Sequence, residues 1–311
     1  MKNIPAYLLK GLLSIFAALP LPVHHFNARI LAFILGKVVR YRRDDVISNI
    51  ARAFPLEDYA MVKRTTGEFY RHLADIIVES IWFGGCHNPE RLRKSEIVKL
   101  INPEKIAQMD NRPGGWMVLC SHCGNWELIG GLAAGDCYSP GIDTPFTEET
   151  LCVSYRAMSS AAWDWVMRKN RFAPIDESRI TGYMETKSIV RFILSHKDEK
   201  KYYHMITDQR PYLKGSDKMT VNFMGHPCTT MSAAAGIAKR VGLPVMFLKM
   251  KQLSRGHYGI EYIPICEDPS TMSEQEIMEK YYSLLEDEIR EQPFNYLWTH
   301  RRWPNINSRI L

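Results

Sequence analysis

Residues 116–134 read WMVLCSHCGNWELIGGLAA, and the fold turns on how this stretch divides. WMVLC (116–120) is a continuous apolar run of strand length, and NWELIGGLAA (125–134) has the look of a helix start. Ser121 to Asn125 then form a turn at the carboxyl end of a buried strand, where open α/β sheets place their ligands. The turn carries His122, Cys120, Cys123 and, one step further, Glu127. Three chemistries compete for it: a metal knuckle, a redox pair, or a base with its partner. A zinc site needs four ligands, and no second C-x-x-C or H-x-x-x-H accompanies Cys120 and Cys123. A redox C-x-x-C normally opens a helix in a small βαβ domain, which this one does not. The base remains. His122 and Glu127 would diverge by roughly 140° within one continuous α-helix. With His122 on the loop and Glu127 in the first turn, the carboxylate can swing back to one imidazole nitrogen and leave the other free to accept a proton. Helix N-terminal N–H groups would help stabilise a developing anion. Ser121 and Cys123 are the alternative nucleophiles beside it.

Other apolar runs repeat the strand pattern: LCVSY (151–155), YYHMIT (202–207), PVMFLKM (244–250) and YGIEYIPI (258–265). Helical segments lie between most of them, at 159–170, 186–197 and 230–242. Upstream, Asp44 or Asp45 is positioned to cap VISNIARAF (46–54), which Pro55 ends. Residues 57–83 place Val62, Phe69, Leu73, Ile76, Ile77 and Ile81 at helical spacing. Strands alternating with helices predict an α/β fold, with a mostly parallel central sheet flanked by helices.

Residues 1–43 differ from the rest. They hold seven basic side chains (Lys2, Lys10, Arg29, Lys37, Arg40, Arg42, Arg43) and no acid. Two apolar stretches, 7–23 and 29–39, are separated by Pro20, Pro22 and the pair His24–His25. Neither is an unbroken run of about 20 apolar residues, so neither reads as a clean transmembrane span. Lys2 ahead of an apolar stretch ending near Ala17 and Ala18 also fits a signal peptide, and a core helix pair is the plainest alternative. Apolar faces flanked only by cations suit an anionic leaflet, so residues 1–43 are expected to be a helical membrane-associating segment. The whole chain is mildly basic, with 40 Lys and Arg against 34 Asp and Glu giving +6. That balance alone does not separate lipid from nucleic acid. Seven cysteines, odd in number and mostly solitary, read as reduced core residues in a cytosol-facing protein.

The sequence SHCGNWE (121–127) resembles the H-x4-D/E motif of glycerolipid and lipid A acyltransferases, and its H-x-GNWE form is similar to the late acyltransferases of lipid A biosynthesis. Further blocks follow in the family's order: VSYRAM (153–158) with Arg156, ITDQRP (206–211) with Asp208 and Gln209, the F-G-x-P segment and helix of 221–245, and PFNYLWTHRRWPN (293–305) with Arg301 and Arg302. SNIARAFP (48–55) agrees as well, so the likeness spans nearly the whole chain. Cys123 stands where an aromatic residue is commonest, and residues 208–221 depart from a glycine-rich version.

The resemblance implies an acyltransferase domain over 44–311. It would move a fatty acyl chain from an acyl carrier protein thioester to a hydroxyl of a membrane glycolipid, as a step in lipid A and lipopolysaccharide biosynthesis. His122 would be the general base and Glu127 would orient it. Arg156, Asp208, Gln209, Arg301 and Arg302 would bind substrate, the last two by holding an anionic head group or meeting the acidic carrier protein. No metal or organic cofactor is implied, and no nucleic acid. The expected location is the cytosolic face of the cytoplasmic membrane. The rival readings are a related O-acyltransferase with another lipid or lipid-linked acceptor, and a non-catalytic membrane adaptor.

Overall fold

The computed structural model describes residues 4–110, 114–211 and 219–303. Its strands are β1 (Val98–Leu100), β2 (Trp116–Cys120), β3 (Leu151–Tyr155), β4 (Gly182–Glu185), β5 (Tyr202–Ile206), β6 (Thr220–Phe223), β7 (His226–Thr229), β8 (Val245–Ser254) and β9 (His257–Cys266). The α-helices are α1 (Ile4–Ala17), α2 (Leu21–Phe33), α3 (Arg43–Ala53), α4 (Tyr59–Phe83), α5 (Pro89–Ser95), α6 (Pro103–Asp110), α7 (Ala161–Arg171), α8 (Thr186–Ser195), α9 (Ala233–Val241) and α10 (Glu274–Glu291).

Seven strands form one sheet in the order β1-β9-β8-β2-β5-β3-β4. All its pairings are parallel except the β8–β9 hairpin, which reverses direction and carries β1 with it. The predicted mostly parallel central sheet flanked by helices is therefore present, and the β8–β9 pair makes it mixed. Its centre is β2, buried along its whole length because both neighbours and both faces are covered. Successive side chains of a strand point to opposite faces, so Met117 and Leu119 enter one hydrophobic cluster while Trp116, Val118 and Cys120 enter another. The first cluster is closed by α3, α4, α9 and α10, the second by α5, α6 and the short helix that follows His122. All seven cysteines are buried and unpaired, as small core residues should be.

Three local expectations change. The helix after His122 is a 3-10 helix, Trp126–Ala133, rather than an α-helix. Its glycines let it lie close to its neighbours: a Cβ on Gly130 would stand 2.5 Å from the Arg171 carbonyl oxygen, and the Tyr138 hydroxyl, under Gly131, donates to Leu128 O at 2.6 Å. Neither Asp44 nor Asp45 caps α3; both sit in its first turn, after Arg42 in a left-handed conformation. Asp58 is the cap of α4, accepting from Met61 N at 2.8 Å. Finally, Pro22 and the His24–His25 pair do not break the second apolar stretch. The break falls at the extended Pro20, and α2 runs through both histidines into a π-helical turn, Ile34–Val38.

The helix axis bends by 113° between Ala6–Ala17 and Leu21–Val38. Among the described residues no single helix is long and apolar enough to cross a membrane, whereas the bent pair together has that length and composition. One side of the pair packs on the body through Ala6, Ala17, Ala28 and Ala32, with His25 Nε2 2.9 Å from the buried Glu79 and Lys10 Nζ donating to Asn170 at 2.7 Å. The other side leaves Leu8, Ile15, Phe26, Phe33 and Val38 each more than 60 % exposed. Six of the seven basic residues noted above are described; Lys2 lies outside the described residues.

Helix α10 reaches the site through one buried carboxyl group. Glu288, 1 % exposed, accepts the Met250 N–H at 2.7 Å and so fixes the strand against which the His122 turn rests. Burial pushes its carboxyl group up to about 8. The folded chain thus keeps this proton until pH is near 8, while the unfolded chain releases it near the ordinary 4.5, so stability falls as pH rises between those values. Glu288→Gln keeps the acceptor oxygen and removes the titration. Thermal melts from pH 5 to 9 should show a flatter pH dependence for Glu288→Gln and a higher Tm at pH 9. An unchanged slope would mean that Glu288 is not protonated in the fold.

Candidate active site

The strands β2 and β5 pair in parallel with Cys120 opposite Ile206, and Thr207 N donates to Cys120 O at 3.0 Å to continue the ladder. His122 and Asp208 each lie two residues beyond those paired positions, so the register itself brings them side by side. His122 Nδ1 is 2.7 Å from Asp208 Oδ1. The carboxylate side chain is 1 % exposed and the imidazole 18 %. Trp126 stands edge-on to the imidazole, with ring centroids 4.9 Å apart. Gln209 Nε2 is 3.4 Å from both ring nitrogens, at the long limit of a hydrogen bond. Nε2 is left as the nitrogen able to take a proton.

The His122 turn is braced by the C-terminal block. Leu297 N donates to His122 O at 3.1 Å, Gly124 N donates to Asn295 Oδ1 at 3.0 Å, and Asn295 Nδ2 donates to Met250 O at 2.9 Å. Gly124 has φ +63, and a Cβ there would stand 2.6 Å from Met250 Cγ, so both conformation and space require glycine. Asn125 Nδ2 donates to the buried Glu79 at 2.9 Å, and Tyr258 OH donates to the same carboxylate at 2.8 Å.

Glu127 is not the partner of His122. Both its oxygens are taken by Arg171, from Nε at 2.7 Å and Nη2 at 2.8 Å, while Arg171 Nη1 reaches Tyr183 OH at 2.8 Å. The close approach of the 3-10 helix to the end of α7 explains this: it presents a planar donor fork to Glu127 and turns the carboxylate away from the imidazole. Burial alone would raise Glu127, but the Arg171 charge and hydrogen bonds, with a smaller contribution from His122, hold it below the usual carboxylate range. Asp208 behaves alike: burial works against its charge, and His122, Arg302 and His300 together keep it ionised. The site therefore holds two buried carboxylates near His122, one in contact with it and one held in reserve by an arginine.

The alternative nucleophiles are poorly placed. Ser121 is 4 % and Cys123 1 % exposed, and burial pushes the Cys123 thiol well up, leaving it neutral. Cys120 is raised in the same way. Both act as packing.

A sequence-family model described as bacterial lipid A biosynthesis acyltransferase matches residues 2–305. The chain belongs to that family. It is similar to the lipid A biosynthesis palmitoleoyltransferase of Escherichia coli (strain K12) and to the lipid A biosynthesis acyltransferase of Shigella flexneri. Each is 24 % identical over 296 residues, covering 94 % of this chain and 89 % of the relative. Membership makes this protein an acyltransferase of lipid A-related glycolipid chemistry.

The cationic residues expected to bind substrate are dispersed. Arg156 follows β3 directly and is exposed at the carboxyl edge of the sheet, beside the strand that leads to Asp208. Arg301 is 74 % exposed along its side chain and pairs with Asp45 at 2.9 Å. Arg302 corrects an expectation: it is 2 % exposed, donates to Tyr282 OH at 2.5 Å and Cys228 Sγ at 2.9 Å, and lies over the Phe223 and Tyr282 rings. Aromatic faces offset the cost of burying a guanidinium. From there it can hold Asp208 ionised, but it cannot meet a protein partner.

Sequence reading missed Arg171 and Tyr183. Arg171 closes a basic last turn (Arg168, Lys169, Arg171) of the kind that normally faces solvent, and nothing local distinguishes it. Because Arg302 is internal, Arg302→Met should lower Tm by about 2–6 °C, since Tyr282 OH loses its charged donor and keeps only Thr230 Oγ1 at 2.9 Å. The loss should be unaffected by salt. Thermal melts at low and high ionic strength test this, and a wild-type Tm with a salt-dependent loss of activity would return Arg302 to the surface role.

Proposed function

We propose that the protein transfers a fatty acyl chain from an acyl carrier protein thioester to a hydroxyl of a lipid A-type glycolipid at the cytosolic face of the cytoplasmic membrane. The observation that carries this reading is the His122–Asp208 pair, set at the carboxyl end of a central parallel strand in a chain of this family. Asp208 accepts a hydrogen bond from Nδ1–H, which fixes the tautomer and stabilises the imidazolium that forms. Nε2 removes the proton from the acceptor hydroxyl as its oxygen attacks the thioester carbonyl. The tetrahedral intermediate collapses with cleavage of the carbon–sulfur bond, and the imidazolium returns its proton to the leaving thiolate. The products are the ester and the free carrier thiol. The second carboxylate, Glu127, anchors Arg171 beside the site.

The acceptor and donor contacts are part of the same proposal. Gln209 lies against the imidazole and can contact a substrate bound there. Arg156 is exposed at that edge of the sheet and suits a phosphate of the glycolipid. Arg301 is exposed enough to steer an acidic carrier protein. The apolar side of α1 and α2 supports seating in the membrane surface, since each large apolar side chain that becomes fully buried contributes about 1.5–3 kcal/mol. Seven unpaired cysteines agree with a reducing, cytosolic side.

His122→Ala should reduce turnover by roughly 10²–10⁴-fold with the fold intact. Asp208→Ala should fall in the same direction, and the double variant should be little worse than His122→Ala, because coupled groups act as a unit. Glu127→Gln should lose less than Asp208→Ala. Steady-state transfer from acyl carrier protein to a lipid A precursor, followed by mass spectrometry of the product, tests the set. Near-wild-type turnover in folded His122→Ala would refute the base.

A further inference from the structure

A cleft of about 610 Å³ lies between α2, α3 and α4, lined by residues that take no part in the His122 site. Its apolar lining includes Ala32, Phe33, Ile47 and Val62, and its cationic lining is Arg29, Lys37, Arg43, Lys63, Arg64 and Arg71. Among the described residues no acidic side chain lines it. Arg43 is partly committed, donating to Gly36 O at 2.6 Å. The other five are exposed and make no ion pair with any described carboxylate. An unpaired set of like charges around an apolar lining raises its own electrostatic energy and is relieved by an anion.

Two further observations say what kind of anion. Phe33 belongs both to the cleft and to the exposed apolar side of α2, so the cleft opens onto the surface that the bent helix pair would place in a membrane. Gly67 lies inside the 25-residue helix α4, where glycine costs about 1 kcal/mol relative to alanine. A Cβ there would meet nothing within 4 Å, so packing does not require the glycine. It leaves the cleft open.

We propose that this cleft binds one anionic phospholipid of the membrane, its phosphate held by Lys63, Arg64 and Arg71 and an acyl chain lying over Phe33, Ile47 and Val62. An acidic protein would not need the apolar lining. The reacting glycolipid must present a hydroxyl at His122, which none of these residues touches. The inference rests on the membrane reading of α1 and α2 and not on the reaction, so lipid binding and acyl transfer can fail separately.

The test is native mass spectrometry of the full chain in neutral detergent, titrated with phosphatidylglycerol or with phosphatidylcholine of the same acyl chains. One phosphatidylglycerol should be retained in preference to phosphatidylcholine. The exposed pair Lys63→Gln and Arg64→Gln together should weaken it roughly 25-fold, at about fivefold per cation. Gly67→Trp, which fills the cleft and keeps every charge, should abolish retention, while Gly67→Ala should keep it; melts confirm folding, and the charge variants decide if Gly67→Trp does not fold. Equal retention of both lipids would overturn the proposal. So would unaltered binding by folded Gly67→Trp, which would mean a diffuse basic surface, or charge variants that bind phosphatidylglycerol normally but lose acyl carrier protein.

Discussion

The parallel pairing of β2 with β5 is the constraint on which the rest of the site depends. Because Cys120 faces Ile206, His122 and Asp208 each stand two residues beyond the last pair at the sheet's carboxyl edge, and they meet at 2.7 Å. A slip of one residue in that register would turn every side chain of β2 to the other face, exchanging Met117 and Leu119 with Trp116 and Val118 between two filled clusters. The packing of the core thus fixes the geometry of the base. The remaining architecture keeps the His122 turn in place: Leu297 and Asn295 bond its backbone from the C-terminal block, and Glu288 holds Met250 beneath Gly124.

The buried charges follow from this arrangement. Asp208 would be costly as an isolated ion, yet His122 beside it and Arg302 behind it keep it charged. Glu127 is held by Arg171 in the same way, a few residues along the chain from the base. In a site screened from water these fixed charges act more strongly on a developing imidazolium than they would in solution. Arg302 is buried and Arg171 half-buried beside these carboxylates, whereas Arg156 and Arg301 are exposed.

Much of this was legible in the sequence. The strand WMVLC, the turn carrying His122, and the strands 151–155 and 202–206 follow from runs of apolar residues, and they sit where those runs place them. The resemblance marked Asp208 as a candidate substrate-binding residue, but its contact with the imidazole was not legible. That contact depends on which strand lies beside β2, a long-range fact that local periodicity does not contain. The sequence spacing favoured Glu127 instead, and Arg171, distant in the chain, intervenes. The short strands β1 and β4 and the β6–β7 hairpin escaped for a different reason, since runs of three or four residues carry too little pattern. The hairpin turn, Met224–Gly225 with both φ positive, is a two-residue type whose usual Asn-Gly signal is missing. Arg302 misled because an Arg-Arg pair ordinarily faces water, and only the aromatic rings over it reveal its burial.

If Asp208 rather than Glu127 sets the protonation geometry of His122, the imidazole tautomer follows Asp208. Nitrogen-15 spectra of histidine-labelled protein report directly which ring nitrogen carries the proton. Neutral His122 should be protonated at Nδ1 in the wild type, this preference should survive in Glu127→Gln, and it should be lost in Asp208→Asn. Retention of the Nδ1–H tautomer in Asp208→Asn, with its loss in Glu127→Gln, would contradict that role of Asp208.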